Sequence, residues 1–145
     1  MDAETYRSTL NSFDVQILEM ERTICNLCNE ITEAEVAKEN AKGIRSDFDS
    51  FVTRKKQKNS RQTKGRFVKS FSSFLAKATN LLTGSEYNQA NEKIEEINRL
   101  LSSKIKSLYD DLDFCKRELS SLKQQRDATY SEYVCFLNSL EEEVE

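Results

Sequence analysis

The sequence contains no proline, no tryptophan and no histidine, and it has only three glycines among its 145 residues. Proline and glycine supply the turns between short strands, so their scarcity favours long helices over a β-rich fold. Without histidine the chain lacks the commonest metal ligand, the usual general base at neutral pH and every Ser–His or Cys–His nucleophile pair. No glycine-rich phosphate loop is present. We therefore expect no enzyme activity, no catalytic or metal-binding residue and no cofactor.

Apolar residues are also in short supply. They make up 37% of the chain, while charged residues reach 32%, above the ~25% typical of globular proteins. This composition predicts a single domain with a thin core and an elongated shape. No apolar run approaches the ~18 residues of a membrane span, and the first residues, MDAE, lack the basic and apolar regions of a secretory signal. We expect a cytoplasmic protein whose export, if any, follows a route independent of a cleavable signal.

The charge is sharply divided along the chain. Residues 1–52 carry 11 acids and 5 bases, residues 53–84 carry 9 bases and no acid, and residues 85–145 carry 14 acids and 8 bases. Two acidic flanks therefore enclose a wholly basic middle. Such a pattern indicates an organisational boundary near the centre of the chain.

The N-terminal flank has the spacing of a helix that packs along one seam. Its apolar residues follow one another in steps of four and three: Tyr6, Leu10, Phe13, Ile17, Met20, Ile24, Leu27, Ile31 and Ala34. After Ala34 the apolar seam drifts, because Lys38 and Arg45 stand where apolar residues are expected, and it resumes through Ala41, Ile44, Phe48, Phe51 and Val52. We predict one helix over about residues 3–53.

The basic middle is predicted to contain a loop, a short helix and a turn. Residues 54–66 include no apolar side chain and are expected to form a basic polar loop. Residues 67–82 are expected to form an amphipathic helix, with one face that includes Phe67, Phe71, Phe74, Leu81 and Leu82. In the turn that follows, Gly84 suits a helix C-terminus, Ser85 suits an N-cap, and Thr83 with Glu86 fits a capping box.

A second seam continues beyond this turn without interruption by glycine or proline. It contains Tyr87, Ala90, Ile94, Ile97, Leu101, Ile105, Leu108, Leu112, Cys115, Leu119 and Leu122, with one extra four-residue step that resembles a coiled-coil stutter. A weaker continuation includes Tyr130, Tyr133, Leu137 and Leu140. We predict a second long helix over about residues 86–141. The fold class is all-α, an elongated, coiled-coil-like antiparallel helical hairpin of two long helices joined by the shorter basic and amphipathic segment.

The four cysteines do not have the geometry of a metal site. Cys25 and Cys28 have zinc-ligand spacing, but Cys115 and Cys135 are twenty residues apart on one helix, ~30 Å at 1.5 Å per residue. In a hairpin Cys115 lies near the level of Cys25, so a disulfide between them remains an alternative. Buried free thiols are the favoured interpretation.

The basic segment allows three interpretations. The favoured one is a solvated linker whose positive charge meets a neighbouring acidic face. The second is a membrane-surface anchor that joins the basic run to the phenylalanine-rich helix, and the third is nucleic-acid binding through phosphate contacts. The acidic flanks and the short length of the run weigh against nucleic acid.

The pattern of a long helix, a turn at Leu82-Thr83-Gly84 and a second long helix resembles the WXG-type superfamily of small helical proteins of type VII secretion. Within it the chain is most similar to the YwqH-like proteins that accompany LXG-domain toxins in Gram-positive bacteria. The likeness covers the length, the N-terminal heptads, the polar middle, the turn and the run YNQANEKI that follows. Leu82 stands where the tryptophan of the motif would be, so only the glycine is retained.

This resemblance implies a non-enzymatic targeting factor or chaperone. It would bind the N-terminal helical region of a secreted toxin, with a second small helical protein, and present the assembly for export. The partner-binding candidates lie on the seams and at the turn: Leu10, Phe13, Ile17, Met20, Ile24, Leu27, Ile31, Phe71, Phe74, Leu82, Gly84, Tyr87, Ile94, Ile97, Leu101, Leu108 and Leu112. Tyr109 and Asp113 match the Tyr-x-x-x-Asp/Glu export element of such systems. The alternatives are a homodimeric coiled-coil scaffold and a peripheral membrane binder.

Overall fold

Two long helices form an all-α antiparallel hairpin, as the sequence predicts. A computed structural model of the chain describes residues 1–64 and 84–144, except for the side chains of residues 58–64 and 85. Helix α1 spans Ala3–Lys64 and helix α2 spans Ser85–Glu142. No strand occurs in either described range. The predicted short helix over 67–82, with Phe71, Phe74, Leu82 and Thr83 of the predicted turn, lies outside these ranges.

The chain divides into two compact units, each with a stretch of both helices. Unit 1 comprises Met1–Thr32 with Lys106–Glu145, and unit 2 comprises Glu33–Ile105. In unit 1 the Tyr6 ring lies 5.4 Å from that of Tyr133, and Glu21 Oε1 lies 3.6 Å from Lys123 Nζ. The contacts move backward along α2 as they move forward along α1, which defines the antiparallel pairing within this unit.

Unit 2 shows the same direction of pairing. The rings of Phe48 and Tyr87 stack with their centroids 5.6 Å apart, and Arg45 donates a hydrogen bond from Nη2 to Asn91 Oδ1 at 3.0 Å. Ala41 and Val52 are its buried apolar residues, whereas Ile31, Leu108 and Leu112 are those of unit 1. The core of the described chain is thin in both units, because each helix buries only one stripe.

The seam of α1 keeps its four-three spacing beyond Ala34, so the predicted drift is wrong. The seam positions are all buried or half-buried: Tyr6, Leu10, Phe13, Ile17, Met20, Ile24, Leu27, Ile31, Ala34, Lys38, Ala41, Arg45, Phe48 and Val52. The apolar Ile44 and Phe51, predicted to resume the seam, are exposed instead. The helical period decides which stripe faces α2, and it does so whichever residue types occupy that stripe.

The predicted stutter in α2 is absent for the same reason. Its buried and half-buried stripe is an unbroken four-three series: Tyr87, Asn91, Ile94, Asn98, Leu101, Ile105, Leu108, Leu112, Cys115, Leu119, Leu122, Arg126, Thr129, Tyr133 and Phe136. Polar residues fill four of these positions. The sequence prediction used apolar residues only, so it placed the seam at Ala90 and Ile97, one position before Asn91 and Asn98.

The basic run is helical up to Lys64, so residues 54–64 of the predicted loop are helical and α1 does not end at residue 53. Residues 65 and 66 of that loop lie outside the described ranges. Lysine, arginine and glutamine are good helix formers, and residues 54–64 contain no glycine or proline. Adding residues to an existing helix also avoids the cost of nucleation, so a polar sequence can continue α1.

The caps of both helices are visible in the hydrogen bonds of their first turns. Asp2 Oδ1 accepts from the Thr5 backbone N–H at 2.8 Å and from the Thr5 hydroxyl at 2.7 Å, so Asp2 is the N-cap of α1. Gly84 caps α2, since its carbonyl accepts from Asn88 N–H at 3.0 Å. Ser85 is thus the first helical residue rather than the predicted cap. Gly43 has no positive φ, as expected inside a helix. The prediction that Gly84 ends a preceding helix concerns residues 67–82, which lie outside the described ranges.

Replacing Gly43 with alanine should stabilise the protein. Gly43 is an exposed mid-helix residue without a positive φ, and an added Cβ would have no atom within 4 Å. We expect Gly43→Ala to raise the free energy of unfolding by about 1 kcal/mol, because alanine loses less backbone entropy on folding. Urea denaturation measures this, with Ser50→Ala as a control whose gain should be smaller. An unchanged or lower stability for Gly43→Ala would contradict the prediction.

Acid should loosen the first turn of α1. The hydrogen bonds from the Thr5 hydroxyl and backbone N–H hold the pKa of Asp2 below its ordinary value of 3.8. The stabilisation is therefore complete above pH 3.8 and is lost as the pH falls through the lower folded-state pKa. Carbon-13 chemical shifts of residues 3–6 should move towards coil values in this acidic window. Asp2→Ser, which caps without titrating there, should show no such shift.

Candidate interaction surfaces

Most of the predicted partner-binding residues pack inside the hairpin. Leu10, Phe13, Ile17, Met20, Ile24, Leu27, Tyr87, Ile94 and Leu101 are half-buried on the seams, and Ile31, Leu108 and Leu112 are buried. Gly84 is half-buried at the start of α2. A partner would reach the seam side chains fully only if the hairpin opened. The closed hairpin therefore presents a different set of apolar residues.

Three other predicted residues lie on the exposed surface of α2. Ile97 is 51% exposed, because Asn98 takes the seam position next to it. Tyr109 and Asp113 are exposed one turn apart in the middle of the helix. The two residues of the candidate export element therefore lie on the same exposed face of a regular helix.

A polar cluster interrupts the apolar seam of unit 2. The Arg45 guanidinium donates to Asn91 Oδ1 at 3.0 Å and pairs with Glu95 at 3.7 Å and with Asp49 at 3.9 Å. Its aliphatic stem occupies the seam while its charged head reaches the edge of the hairpin. Asn98 Oδ1 is buried in the same unit and has no hydrogen-bond donor among the described residues. Unit 2 therefore uses seam positions for polar groups, one of which is unsatisfied.

Unit 1 carries its polar groups differently. Arg126 also occupies a seam position, and its Nε donates to the Asp14 carboxylate on α1. That hydrogen bond and the charge of Asp14 raise the pKa of Arg126, so the guanidinium stays charged. Arg7 Nε donates to Tyr133 Oη at 3.0 Å nearby. Because these contacts are exposed to solvent, they add little to the stability of the protein. Their main effect is to align the two helices of unit 1.

The outward side of α1 in unit 1 carries few charges, which are those of Glu4, Glu19 and Arg22. We define the outer line as the exposed residues opposite the seam: Ser8, Asn11, Val15, Leu18, Arg22, Cys25, Asn29 and Thr32. Only Arg22 on this line is charged, although the outward face of a two-helix hairpin is normally the most charged one. Val15 and Leu18 are 57% and 49% exposed and lie three residues apart. Val15 and Leu18 therefore form an apolar centre on the line, with Asn11 before it and Arg22 after it.

The cysteines are all free thiols. Cys25, Cys28 and Cys135 are exposed, which corrects the prediction of buried thiols, and Cys115 is half-buried on the seam. The described residues contain no cluster of three or more side chains suited to hold a metal ion. Within the same ranges, neither helix has a stretch apolar enough to cross a membrane.

Comparison of the chain with protein-family models, with curated protein sequences and with solved structures finds no significant match.

Replacing the unsatisfied Asn98 should stabilise the hairpin. We expect Asn98→Leu to raise the free energy of unfolding by about 1 kcal/mol, because a buried acceptor without a donor is replaced by apolar surface. Asn91→Leu is the matched control at the preceding polar seam position. It should bring no such gain, since it removes the acceptor of the Arg45 guanidinium. Urea denaturation of both variants tests the difference, and equal effects would contradict it.

Proposed function

We propose that this protein is a non-enzymatic helical chaperone or targeting factor. It binds the N-terminal helical region of a secreted toxin of the LXG type, together with a second small helical protein, and helps to present the assembly for type VII export. The antiparallel hairpin fold and the resemblance around Leu82-Thr83-Gly84 support this proposal. The observation that carries it is the outer line of α1, which leaves Val15 and Leu18 exposed on a helix face with few charges.

The chemistry of this face suits a helical partner. An amphipathic helix can lay its apolar stripe along Val15 and Leu18, while the serine, asparagine and threonine side chains of the line allow close approach and supply hydrogen bonds at the rim. Burying the two aliphatic side chains supplies the driving force, ~1.5–3 kcal/mol for each side chain buried completely. A low density of charge avoids the desolvation penalty that a charged face would impose.

Binding occurs to the closed hairpin in this proposal. The seam residues Ile31, Leu108 and Leu112 are buried between α1 and α2, so their contribution is to hold the outer line rigid. The predicted seam candidates thus become positioning residues, and Val15 and Leu18 become the contact residues. The candidate export element Tyr109 and Asp113 is on α2 and stays separate from these contacts.

The test is binding of the N-terminal helical region of an LXG-type toxin from the same genome to the purified protein. We expect the double change Val15→Asp with Leu18→Asp to weaken this binding at least about tenfold, because two carboxylates then enter an apolar contact. Asn26→Asp with Asn40→Asp adds the same two negative charges at exposed positions outside the line and should leave binding unchanged. Isothermal titration calorimetry measures affinity, and circular dichroism verifies that the helices are retained. Equal affinities for all variants would contradict the role of the outer line.

A further inference from the structure

Several apolar residues beside the seam of unit 2 form a second pattern, which differs from the outer line; all are exposed except the half-buried Ala90. Ala37, Ile44 and Phe51 are each one residue before a seam position of α1, and Ala90 and Ile97 are each one residue before a seam position of α2. We call these five residues the apolar flank. Ile44, Phe51 and Ile97 are 61%, 45% and 51% exposed, and the neighbouring Leu100 is 59% exposed. The equivalent positions of unit 1, among them Gln16, Thr23, Asp111 and Glu118, are polar.

Both halves of the apolar flank lie along the same edge of the unit 2 hairpin. Arg45 contacts Asp49 and Glu95, which are each one residue after a seam position on their own helix. The positions of Asp49 on α1 and Glu95 on α2 therefore lie along one edge of the hairpin. The residues that precede the seam positions consequently share the opposite edge, which brings the α1 and α2 halves of the apolar flank side by side.

Charged residues border this edge in a complementary order. Four exposed charged residues lie on the solvent side of the apolar flank. They are Asp47 and Arg54 on α1, and Glu86 and Lys93 on α2. The Arg45–Glu95 ion pair gives the local antiparallel register, which places Asp47 at the level of Lys93 and Arg54 at the level of Glu86. The border of one helix is thus opposite in sign to the border of the other, level by level.

We propose that the protein pairs with a second copy of itself through the apolar flank of unit 2. A two-fold axis parallel to the helices places α1 of each copy against α2 of the other at the same level. Asp47 then faces Lys93 of the second copy, and Arg54 faces Glu86 of the second copy. An axis perpendicular to the helices, midway between Asp47 and Arg54, also opposes unlike charges, but it places Ile44 against the polar Gln57 of the second copy. Only the parallel axis matches the charges and also sets Ile44 against Ile97 of the second copy.

The apolar side chains and the charges have different roles in this pairing. Ile44, Phe51 and Ile97 lose solvent contact and drive association, as in the core of a four-helix bundle. The exposed charge pairs add little affinity but set the orientation and the register. In unit 2 the polar Arg45 and Asn98 occupy seam positions inside the hairpin, while the neighbouring Ile44 and Ile97 are exposed. This arrangement accounts for the apolar surface on the edge of the unit.

Sedimentation equilibrium of the full chain, from about 1 µM to about 200 µM, tests the proposal. The unchanged protein should be a dimer at high concentration, and Ile44→Asp with Ile97→Asp should weaken dimerisation at least about tenfold. The double change Val15→Asp with Leu18→Asp is the matched control and should dimerise normally. A monomer throughout the range, or equal effects of the two double changes, would overturn the proposal. Failure of toxin binding would leave it untouched, because the two surfaces are separate.

Charge reversal tests the orientation of the pair. Asp47→Lys alone and Lys93→Asp alone should each weaken the dimer, because each places like charges opposite each other. The combination of both changes restores opposite charges at both symmetric contacts and should recover dimerisation. Circular dichroism at each step distinguishes weaker pairing from unfolding. A combined variant that is weaker than either single variant would overturn the proposed orientation.

Discussion

The structure depends on the burial of one continuous stripe on each helix against the other. Only five apolar residues are buried among those described, Ile31, Ala41, Val52, Leu108 and Leu112, so neither helix has an independent core. A charged helix of this kind gains its stability mainly from packing an apolar face, and each helix supplies that face to the other. The four-three spacing of the stripe is therefore the constraint to which every other position must adapt.

That constraint explains the contrast in residue use between the two units. In unit 2 the stripe includes Arg45 and Asn98, while the apolar Ile44 and Ile97 are exposed on the edge. In unit 1 apolar residues on the stripe form the buried core, and Arg126 satisfies its charge with Asp14 across the helices. Polar seam groups reduce local stability, and an unsatisfied one reduces it further. Unit 2 thus has weaker packing between its own helices and more exposed apolar surface on its edge.

The two proposals assign different work to different surfaces. In the first proposal, the outer line around Val15 and Leu18 in unit 1 binds a helix of another protein. In the second proposal, the apolar flank around Ile44 and Ile97 in unit 2 binds a second copy, whose border has matching charges. The proposed chaperone would benefit from this separation, because self-pairing and partner binding use different residues. Two linked copies also present two partner sites, which increases the effective concentration of the second binding event.

The sequence by itself determined two long helices that pack along a seam, because its four-three apolar spacing from Tyr6 to Ala34 and from Leu101 to Leu122 is typical of such helices. Their antiparallel pairing as a hairpin was a prediction, which the structure confirms. The sequence could not identify Asn91 and Asn98 as seam positions, because the apolar Ala90 and Ile97 stand beside them, and it marked Lys38 and Arg45 only as a drift of the seam. Nor did it show that residues 54–64 continue α1, because they have no apolar period. The sequence did leave Leu18, Val36, Leu100 and Tyr109 off the predicted seams, and all four are exposed. Only the tertiary structure showed that Ile44, Phe51 and Ile97 are exposed as well. The reason is that exposure depends on which side of a helix its partner covers, and packing over many turns sets that side, whatever the local residue type.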